Sequence, residues 1–247
     1  ILQKLLADQD NSDHLPKISW LNNALIKDSS QLTPSDFAHF YQLLLAAYAQ
    51  GSKRFVLITG TDTLSYLGAF LAEAFAGSDI CIVLTGSMRP LLDSEELHTY
   101  CIDEHSDAWD NLNDSLKLAA AGEAGVKISF GGESWPAQTV QKIHSHDLMA
   151  FTGHSRAAYP ANSYVKSLPD TRRQHWLDDQ QQVLDTIQSR ADSVRVHALY
   201  CLPSDAETIN SQLQSLLAQP PSGFILMGFG AGNVPYSKAL ADTLELA

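Results

Sequence analysis

The chain has 247 residues, of which 45% are hydrophobic, and this composition predicts a folded globular protein of one large domain or two smaller ones. Its formal net charge of -12 disfavours non-specific binding to nucleic acids and to anionic membrane surfaces, and no apolar run is long enough for a membrane span. Three widely spaced cysteines without a CxxC motif indicate neither a disulfide framework nor a structural zinc site, and they favour a reducing, cytoplasmic location.

The first predicted element is a helix that begins after Thr33. Thr33 is followed by Pro34 and Asp36, a pattern typical of helix starts because the hydroxyl and the carboxylate satisfy free backbone N–H groups. Apolar residues then recur at helical spacing until Gly51: Phe37, Phe40, Leu44 and Tyr48. We therefore expect a surface helix with one face packed inward.

Three short apolar runs that end in glycine come next and are predicted to be buried strands. They are RFVLITG at 54–60, DICIVLTG at 79–86 and VKISFGG at 126–132. Helical spacing follows the first run in Leu64, Leu67, Leu71 and Phe75, and precedes the third in Trp109, Leu112, Leu116 and Ala120, with Ser106 as the expected cap. Continuously apolar strands separated by amphipathic helices predict an α/β fold with a parallel sheet covered on both faces.

The sequence becomes more polar after residue 155, and a linker is predicted there in place of strands and helices. Residues 156–193 contain two prolines and the run DTRRQHWLDDQQQ, so we expect a linker that holds one exposed helix. Strand and helix patterns resume at 194–247. The expected organisation is a three-layer N-terminal domain at 1–155, the linker, and a smaller C-terminal α/β domain.

Polar residues follow each predicted strand of the first domain. The segments GTDT, TGSMRP and FGGES lie at the carboxyl ends of these strands, where binding sites of parallel sheets form, so we expect them to converge on one crevice. Thr61 and Asp62 of GTDT are candidates to activate a nucleophile or hold a water. The alternative is that GTDT only caps the following helix.

A basic partner for this pair must come from elsewhere in the chain. Lys142 lies between apolar Val140 and Ile143, so its stem is expected to be partly buried and its amine to serve as a base; the alternative is a lysine that only extends to solvent. Arg89 of TGSMRP is expected either to bind a carboxylate or to form a surface ion pair.

Three further patterns carry alternative predictions. The histidines and neighbouring groups at His144, His146 and Asp147, and at His98, Cys101 and His105, match no common zinc spacing, so no metal is expected. GHSRA at 153–157 approaches the GxSxG motif of serine esterases, with Ser155 as nucleophile, but its fifth residue is alanine. Phosphate-binding GxGxxG and GxxxxGK[ST] motifs are absent from the sequence.

In their order along the chain, five segments resemble the bacterial-type L-asparaginase family of threonine amidohydrolases. They are GTDT, TGSMRP, SDAWDNLNDSLKLA, VQKIHSHDLMAF and GFGAGNVP. The resemblance implies hydrolysis of L-asparagine, and in some members L-glutamine, without metal or cofactor. It also implies a homodimer or homotetramer with shared active sites.

The resemblance also implies roles for single residues. Thr61, Asp62 and Lys142 would form a Thr-Lys-Asp triad, with Asp62 also contacting the substrate. Ser29, Ser87 and Asn233 would be further substrate contacts, Ser29 to the α-carboxylate and Asn233 at the neighbouring subunit's site.

Two departures from the family pattern keep an alternative open. The family's TGGTI-like segment, which carries a second catalytic threonine, is absent from these residues, and residues 91–105 resemble an insertion. We expect the chain to be part of a longer enzyme. The alternative is a catalytically impaired homologue that binds amino acids.

Overall fold

The computed structural model describes residues 18–93, 98, 101–154, 164–230 and 232–246. The chain divides into two compact units, Ile1–Gln188 and Ser189–Ala247. Within the described ranges, no helix is long and apolar enough to cross a membrane.

The first unit combines helices with a mixed sheet and a small strand pair. Its helices are α1 (Pro34–Ala49), α2 (Leu64–Ala74), α3 (Ala108–Ala121) and α4 (Asp170–Arg190), with 3-10 turns at Ser29–Gln31 and Ala137–Thr139. Its strands are β1 (Arg54–Ile58), β2 (Cys81–Thr85), β3 (Gly125–Phe130), β4 (Glu133–Pro136), β5 (Gln141–Lys142) and β6 (Phe151–Thr152).

The main sheet has the strand order β1-β2-β3-β4. Strands β1, β2 and β3 are parallel, so that Phe55 lies opposite Ile82 and Ile82 lies opposite Val126. Strand β4 pairs antiparallel with β3, and β5 and β6 form a separate antiparallel pair. The predicted α/β fold with a predominantly parallel sheet is confirmed, and the antiparallel strand adds an edge that the sequence patterns did not predict.

Helices cover both faces of the sheet. All five residues of β2 are buried; Ile82 and Leu84 share a core with α1 and α2, whereas Cys81 and Val83 pack toward α3. Because successive strand residues point to opposite faces, a strand buried along its whole length requires a layer on each side. The first unit is therefore a three-layer arrangement.

The start of α1 shows why the chain becomes helical at Pro34. The Asp36 N–H donates to the Thr33 hydroxyl at 3.4 Å, and the Thr33 N–H donates to the Asp36 carboxylate at 2.8 Å. This reciprocal pair is the capping box that the sequence predicts.

Helix α3 begins differently from the prediction. Its cap position is Asp107, whose side chain makes no capping hydrogen bond, while the Ser106 hydroxyl accepts the Ala108 N–H at 3.1 Å. Its buried side holds Leu112 and Leu116 as expected. Two polar residues, Asn111 and Ser115, are buried on the same side.

Helix α4 packs against the rest of the first unit through one apolar side. The Trp176 indole N–H donates to the Ala76 carbonyl at 3.0 Å, and its ring stacks on Phe75 with a centroid separation of 6.0 Å. The Tyr41 hydroxyl donates to Gln180 at 2.6 Å. Most other side chains of the helix are exposed. This exposure accounts for the polar sequence from which a linker with one exposed helix is predicted.

The second unit is a parallel strand pair with two helices. Strands β7 (Val196–Tyr200) and β8 (Gly223–Met227) pair in parallel, and the helices are α5 (Ala206–Leu217) and α6 (Lys238–Leu246). Its hydrophobic core includes Ile209, Leu213 and Leu240. On the sheet, the side chains of Val196, Tyr200, Ile225 and Met227 are exposed.

The three cysteines differ in exposure. Cys81 of the first unit and Cys201 of the second are buried, whereas Cys101 is exposed, and all three are free thiols. Burial raises the pKa of the Cys81 thiol above its usual value.

Candidate active site

The turn between β1 and α2 holds the GTDT segment. Thr63 occupies the cap position of α2, but its side chain makes no capping hydrogen bond. Its hydroxyl donates instead to the Ser29 carbonyl at 2.9 Å. Helix capping, the alternative interpretation of this segment, therefore does not describe the Thr63 side chain.

Lys142 meets Thr61 and Asp62 from a distant part of the sequence. Its Nζ donates to Thr61 Oγ1 at 2.9 Å and to Asp62 Oδ1 at 2.8 Å. The Lys142 side chain is 20% exposed and that of Asp62 is 56% exposed. The amine therefore lies at the rim of the first unit, with its stem mostly covered and its head directed at a hydroxyl and a carboxylate.

This arrangement has the geometry of an acid–base group beside a nucleophile. An amine within hydrogen-bond distance of a hydroxyl can exchange a proton with it, and a carboxylate on the other side holds the amine in place. The pair Lys142 and Asp62 on its own would be a surface ion pair of small energetic value. Its contact with the Thr61 hydroxyl adds a group with which the amine can exchange a proton.

Ser29 lies beside the GTDT turn, and hydrogen bonds hold the chain around it. The Asp28 carboxylate accepts the Ser30 N–H at 2.9 Å and forms the cap of the 3-10 turn Ser29–Gln31. The Ser29 hydroxyl, which is buried, accepts the Asp62 N–H at 3.3 Å. A β-carbon placed on Gly60 would lie only 2.4 Å from the Ser29 hydroxyl oxygen.

The TGSMRP segment approaches the same turn from β2. A β-carbon on Gly86 would lie 2.3 Å from the Thr59 carbonyl oxygen and 3.7 Å from the Thr61 methyl carbon. Glycine is therefore required for the two strand ends to come this close. Ser87, the next residue, is half-buried beside this contact.

Arg89, considered from the sequence as a carboxylate ligand or a surface ion pair, contacts backbone and hydroxyl groups in the part of the chain that the structure describes. Its guanidinium donates to the His105 carbonyl at 2.9 Å, and its own carbonyl accepts from the Ser106 hydroxyl at 3.2 Å. Arg89 therefore ties the TGSMRP segment to the residues that precede α3.

Two polar residues at the start of α3 join the loops, and the sequence patterns missed both. The Asn111 side-chain amide donates to the Gly86 carbonyl at 3.0 Å, and its oxygen accepts the Gly131 N–H at 2.9 Å. The Asp107 carboxylate accepts the Met88 N–H at 3.0 Å. A detectable signal existed, because an asparagine beside the apolar stripe of a helix is unusual unless its side chain is hydrogen-bonded.

The three strand-end segments are thus brought together. GTDT contacts TGSMRP through Gly86 and Thr59, and TGSMRP connects to FGGES through Asn111 and Gly131. This geometry agrees with the crevice expected from strand ends.

The other candidate residues have different surroundings. Asn233 belongs to the second unit, where its N–H donates to the Phe229 carbonyl at 3.1 Å and its carbonyl accepts the Phe229 N–H at 2.8 Å. Ser155 lies outside the described residues. Within the described part of the chain, no group of three or more His, Cys, Asp or Glu side chains is arranged to hold a metal ion.

Comparison with known proteins begins with a family model. The model described as Asparaginase, N-terminal matches residues 2–167. An L-asparaginase of Thermococcus kodakarensis is 28% identical over 210 residues, covering 85% of this chain and 57% of that protein. L-asparaginase 1 of Escherichia coli K12 is 25% identical over 229 residues, covering 90% of this chain and 60% of that protein. The chain thus spans less than two thirds of the length of either relative.

Solved structures share the fold. The structure of a probable cytoplasmic L-asparaginase from Campylobacter jejuni superimposes with a TM-score of 0.68 at 20% identity, covering the whole of this chain and 74% of that one. The Thermococcus kodakarensis enzyme superimposes with a TM-score of 0.61 at 22% identity, covering 91% of this chain and 62% of that one.

Proposed function

The chain belongs to the asparaginase family, and on this premise we propose that the protein hydrolyses the side-chain amide of L-asparagine to L-aspartate and ammonia. The observation that carries the proposal is the position of the Lys142 amine, 2.9 Å from Thr61 Oγ1 and 2.8 Å from Asp62 Oδ1. The names of the two curated relatives support the choice of asparagine.

The proposed reaction has two halves and uses threonine as the nucleophile. In the first half, a threonine hydroxyl attacks the amide carbon, its proton passes to the leaving nitrogen, and ammonia departs, leaving an ester. In the second half, water attacks the ester carbon and regenerates the hydroxyl and L-aspartate.

The triad moves the protons in both halves. The Lys142 amine accepts a proton through the Thr61 hydroxyl, and the Asp62 carboxylate stabilises the ammonium that results. The TGGTI-type threonine implied by the family resemblance is absent from the sequence. In the proposed first half, that threonine is the nucleophile, and the Lys142 amine assists its attack. Backbone N–H groups of the strand-end turns stabilise the oxyanion.

Four side chains are proposed to bind the substrate. Ser29 binds the α-carboxylate and Asp62 the α-amino group, and the Ser29 hydroxyl lies 3.3 Å from the Asp62 nitrogen. Ser87 contributes from the TGSMRP loop, and Asn233 acts at the site of a neighbouring subunit. This last role requires a homodimer or homotetramer, which sedimentation of the protein measures. No metal or cofactor takes part, and a cytoplasmic location is proposed with the function.

The test is ammonia release from L-asparagine by the full gene product, which the proposal requires to supply the TGGTI-type threonine, and by two lysine variants of it. Lys142→Met removes the base, so we expect turnover to fall by about 10²- to 10⁴-fold with the circular dichroism spectrum unchanged. Lys127→Met is the matched control, because the Lys127 side chain on β3 is 22% exposed and pairs with Glu123, a residue just before that strand. It should keep turnover within about twofold of the wild type.

Each outcome separates the proposed hydrolase from its alternatives. Equal turnover in the two variants would remove Lys142 from the mechanism. A wild type that binds asparagine without releasing ammonia would support the amino-acid-binding alternative. Ester hydrolysis that Ser155→Ala abolishes and Lys142→Met leaves intact would support the esterase.

A further inference from the structure

The start of α3 contains a carboxylate that does not cap the backbone of its own helix. An aspartate at a helix cap position ordinarily accepts N–H groups of the first turn. Asp107 stands at that position without such a bond, and the Ser106 hydroxyl accepts the Ala108 N–H in its place. The Asp107 side chain is therefore available for contacts outside the helix.

Those contacts go to the loop that follows β2. The Asp107 carboxylate accepts the Met88 N–H at 3.0 and 3.1 Å from its two oxygens, and the Arg89 N–H at 3.0 Å. It also accepts a side-chain N–H of Asn111 at 3.0 Å. Hydrogen bonds to an ionised acceptor are stronger than neutral ones, so the loop backbone is held firmly.

Asn111, one helical turn later, holds the other end of the loop. It is 2% exposed, and its amide donates to the Gly86 carbonyl and to Asp107 while its oxygen accepts the Gly131 N–H. Both donor hydrogens and the acceptor are thus used. A buried amide so fully bonded fixes its neighbours, because any shift would leave a polar group unpaired.

The loop held in this way lies against the triad. The closeness of Gly86 to the Thr59 carbonyl and the Thr61 methyl group leaves no room for a β-carbon. Gly86 therefore has no room to move toward β1, and the hydrogen bonds to Asp107 and Asn111 hold residues 86–89 from the other side.

We propose that Asp107 and Asn111 form a clamp that positions residues 86–89, so that Ser87 keeps a fixed place relative to Thr61 during the reaction. Both are positioning residues and touch no reacting atom. The inference rests on the proposed function for its kinetic consequence, but the clamp itself is a statement about the loop backbone. Small misplacements of substrate-contacting groups cost large factors in rate.

A comparison of Asn111→Ala with Ser115→Ala tests the clamp. Ser115 is the matched control, since it is fully buried on the same helix, but its hydroxyl donates to the Asn111 carbonyl of that helix and to no loop among the described residues. We expect Asn111→Ala to lower kcat for L-asparagine about 10- to 100-fold. Ser115→Ala should leave kcat within about twofold, even where the two variants lose similar thermal stability.

Asp107 provides a second variant at a half-buried position, should Asn111→Ala fold poorly. Asp107→Ala should lower kcat like Asn111→Ala, and the double variant should lose little more than either alone, because the two side chains act as one unit. Asp107→Asn retains an acceptor oxygen for the loop N–H groups and should recover most of the activity.

Amide hydrogen exchange by NMR gives a readout that does not depend on turnover. Exchange of the Met88 and Arg89 N–H groups should speed up at least tenfold in Asp107→Ala and stay unchanged in Ser115→Ala. If the wild type releases no ammonia, the proposed function fails and the exchange rates alone decide on the clamp. Unchanged exchange in Asp107→Ala, or kcat values that do not differ between Asn111→Ala and Ser115→Ala in an active enzyme, would overturn it.

Discussion

Two threonines of the GTDT turn, Thr61 and Thr63, have hydroxyls with different partners. Thr61 accepts a hydrogen bond from Lys142, whereas Thr63 donates to the Ser29 carbonyl. In the proposed mechanism, the first contact serves proton transfer and the second holds the proposed substrate-binding segment in position. The two residues therefore differ in what their removal should change.

Thr61→Ala is expected to reduce kcat for L-asparagine by orders of magnitude, because it removes the hydroxyl through which Lys142 acts. Thr63→Ala is expected to raise KM several-fold with a smaller change in kcat, because it loosens Ser29. Steady-state kinetics on the two variants measures the difference. The same loss of kcat in both would contradict the separate roles.

Gly60→Ala tests the contact between the turn and Ser29. The added β-carbon would lie 2.4 Å from the Ser29 hydroxyl oxygen, so the serine segment must shift. We expect KM for L-asparagine to rise about tenfold or more and the melting temperature to fall. Gly223→Ala is the control, since a β-carbon there meets no atom within 4 Å. If Gly60→Ala behaves like this control, the close packing does not position Ser29.

At the scale of elements, the capping box of α1 makes a prediction about stability. Thr33→Ala removes the hydroxyl that accepts the Asp36 N–H and should lower the free energy of unfolding by about 1 kcal/mol. Thr33→Ser keeps the hydroxyl and should lie within about 0.5 kcal/mol of the wild type. Urea denaturation followed by circular dichroism measures both, and equal losses would show that the methyl group, not the cap, matters.

Local patterns predicted most elements of the first unit, because strand and helix periods depend on neighbouring residues. The buried strand β2 and the cap at Thr33 are examples. The antiparallel strand β4 was not predicted, since its pairing with β3 depends on a tight turn at Gly131 and Gly132, both with positive φ. The helical face of α3 was only partly correct, because Asn111 and Ser115 share its buried side.

The candidate site was predictable from sequence only where motifs carried it. Thr61, Asp62 and Lys142 were named as a triad through the resemblance, and their roles stay a prediction that the kinetic tests address. The contact of Lys142 with Thr61 spans 81 positions, and no local period predicts a contact at such a separation. The sequence does not single out Asp107, because an aspartate at a helix start is ordinarily a cap for that helix.

For the whole molecule, two carboxylates predict how stability depends on pH. Burial raises the pKa of Asp79, but hydrogen bonds from Lys53, Tyr48 and the Leu168 N–H outweigh it and hold the pKa below its usual value. Asp36 is similar: burial raises its pKa, but hydrogen bonds from Lys27 and Thr33 outweigh burial and hold the pKa below its usual value. Both groups therefore bind protons more readily in the unfolded chain.

The sign of the effect follows from that difference. The stability that Asp36 and Asp79 contribute is fully present above the unfolded pKa and is lost as the pH falls through the folded pKa, so unfolding free energy should drop between about pH 5 and pH 2. Asp79→Asn should lower stability at pH 7 and flatten this dependence. Asp185→Asn, on the exposed side of α4, is the control. A dependence as steep in Asp79→Asn as in the wild type would contradict the assignment.

Because the three thiols differ in burial, their rates of chemical modification report how fast each compact unit opens. Cys101 should react with a thiol reagent within the mixing time, whereas Cys81 and Cys201 react only when their surroundings open. Because Cys81 lies in the first unit and Cys201 in the second, mass spectrometry of labelled peptides times the two openings separately. Under native conditions, the slower of the two modifications identifies the unit that holds its structure longer.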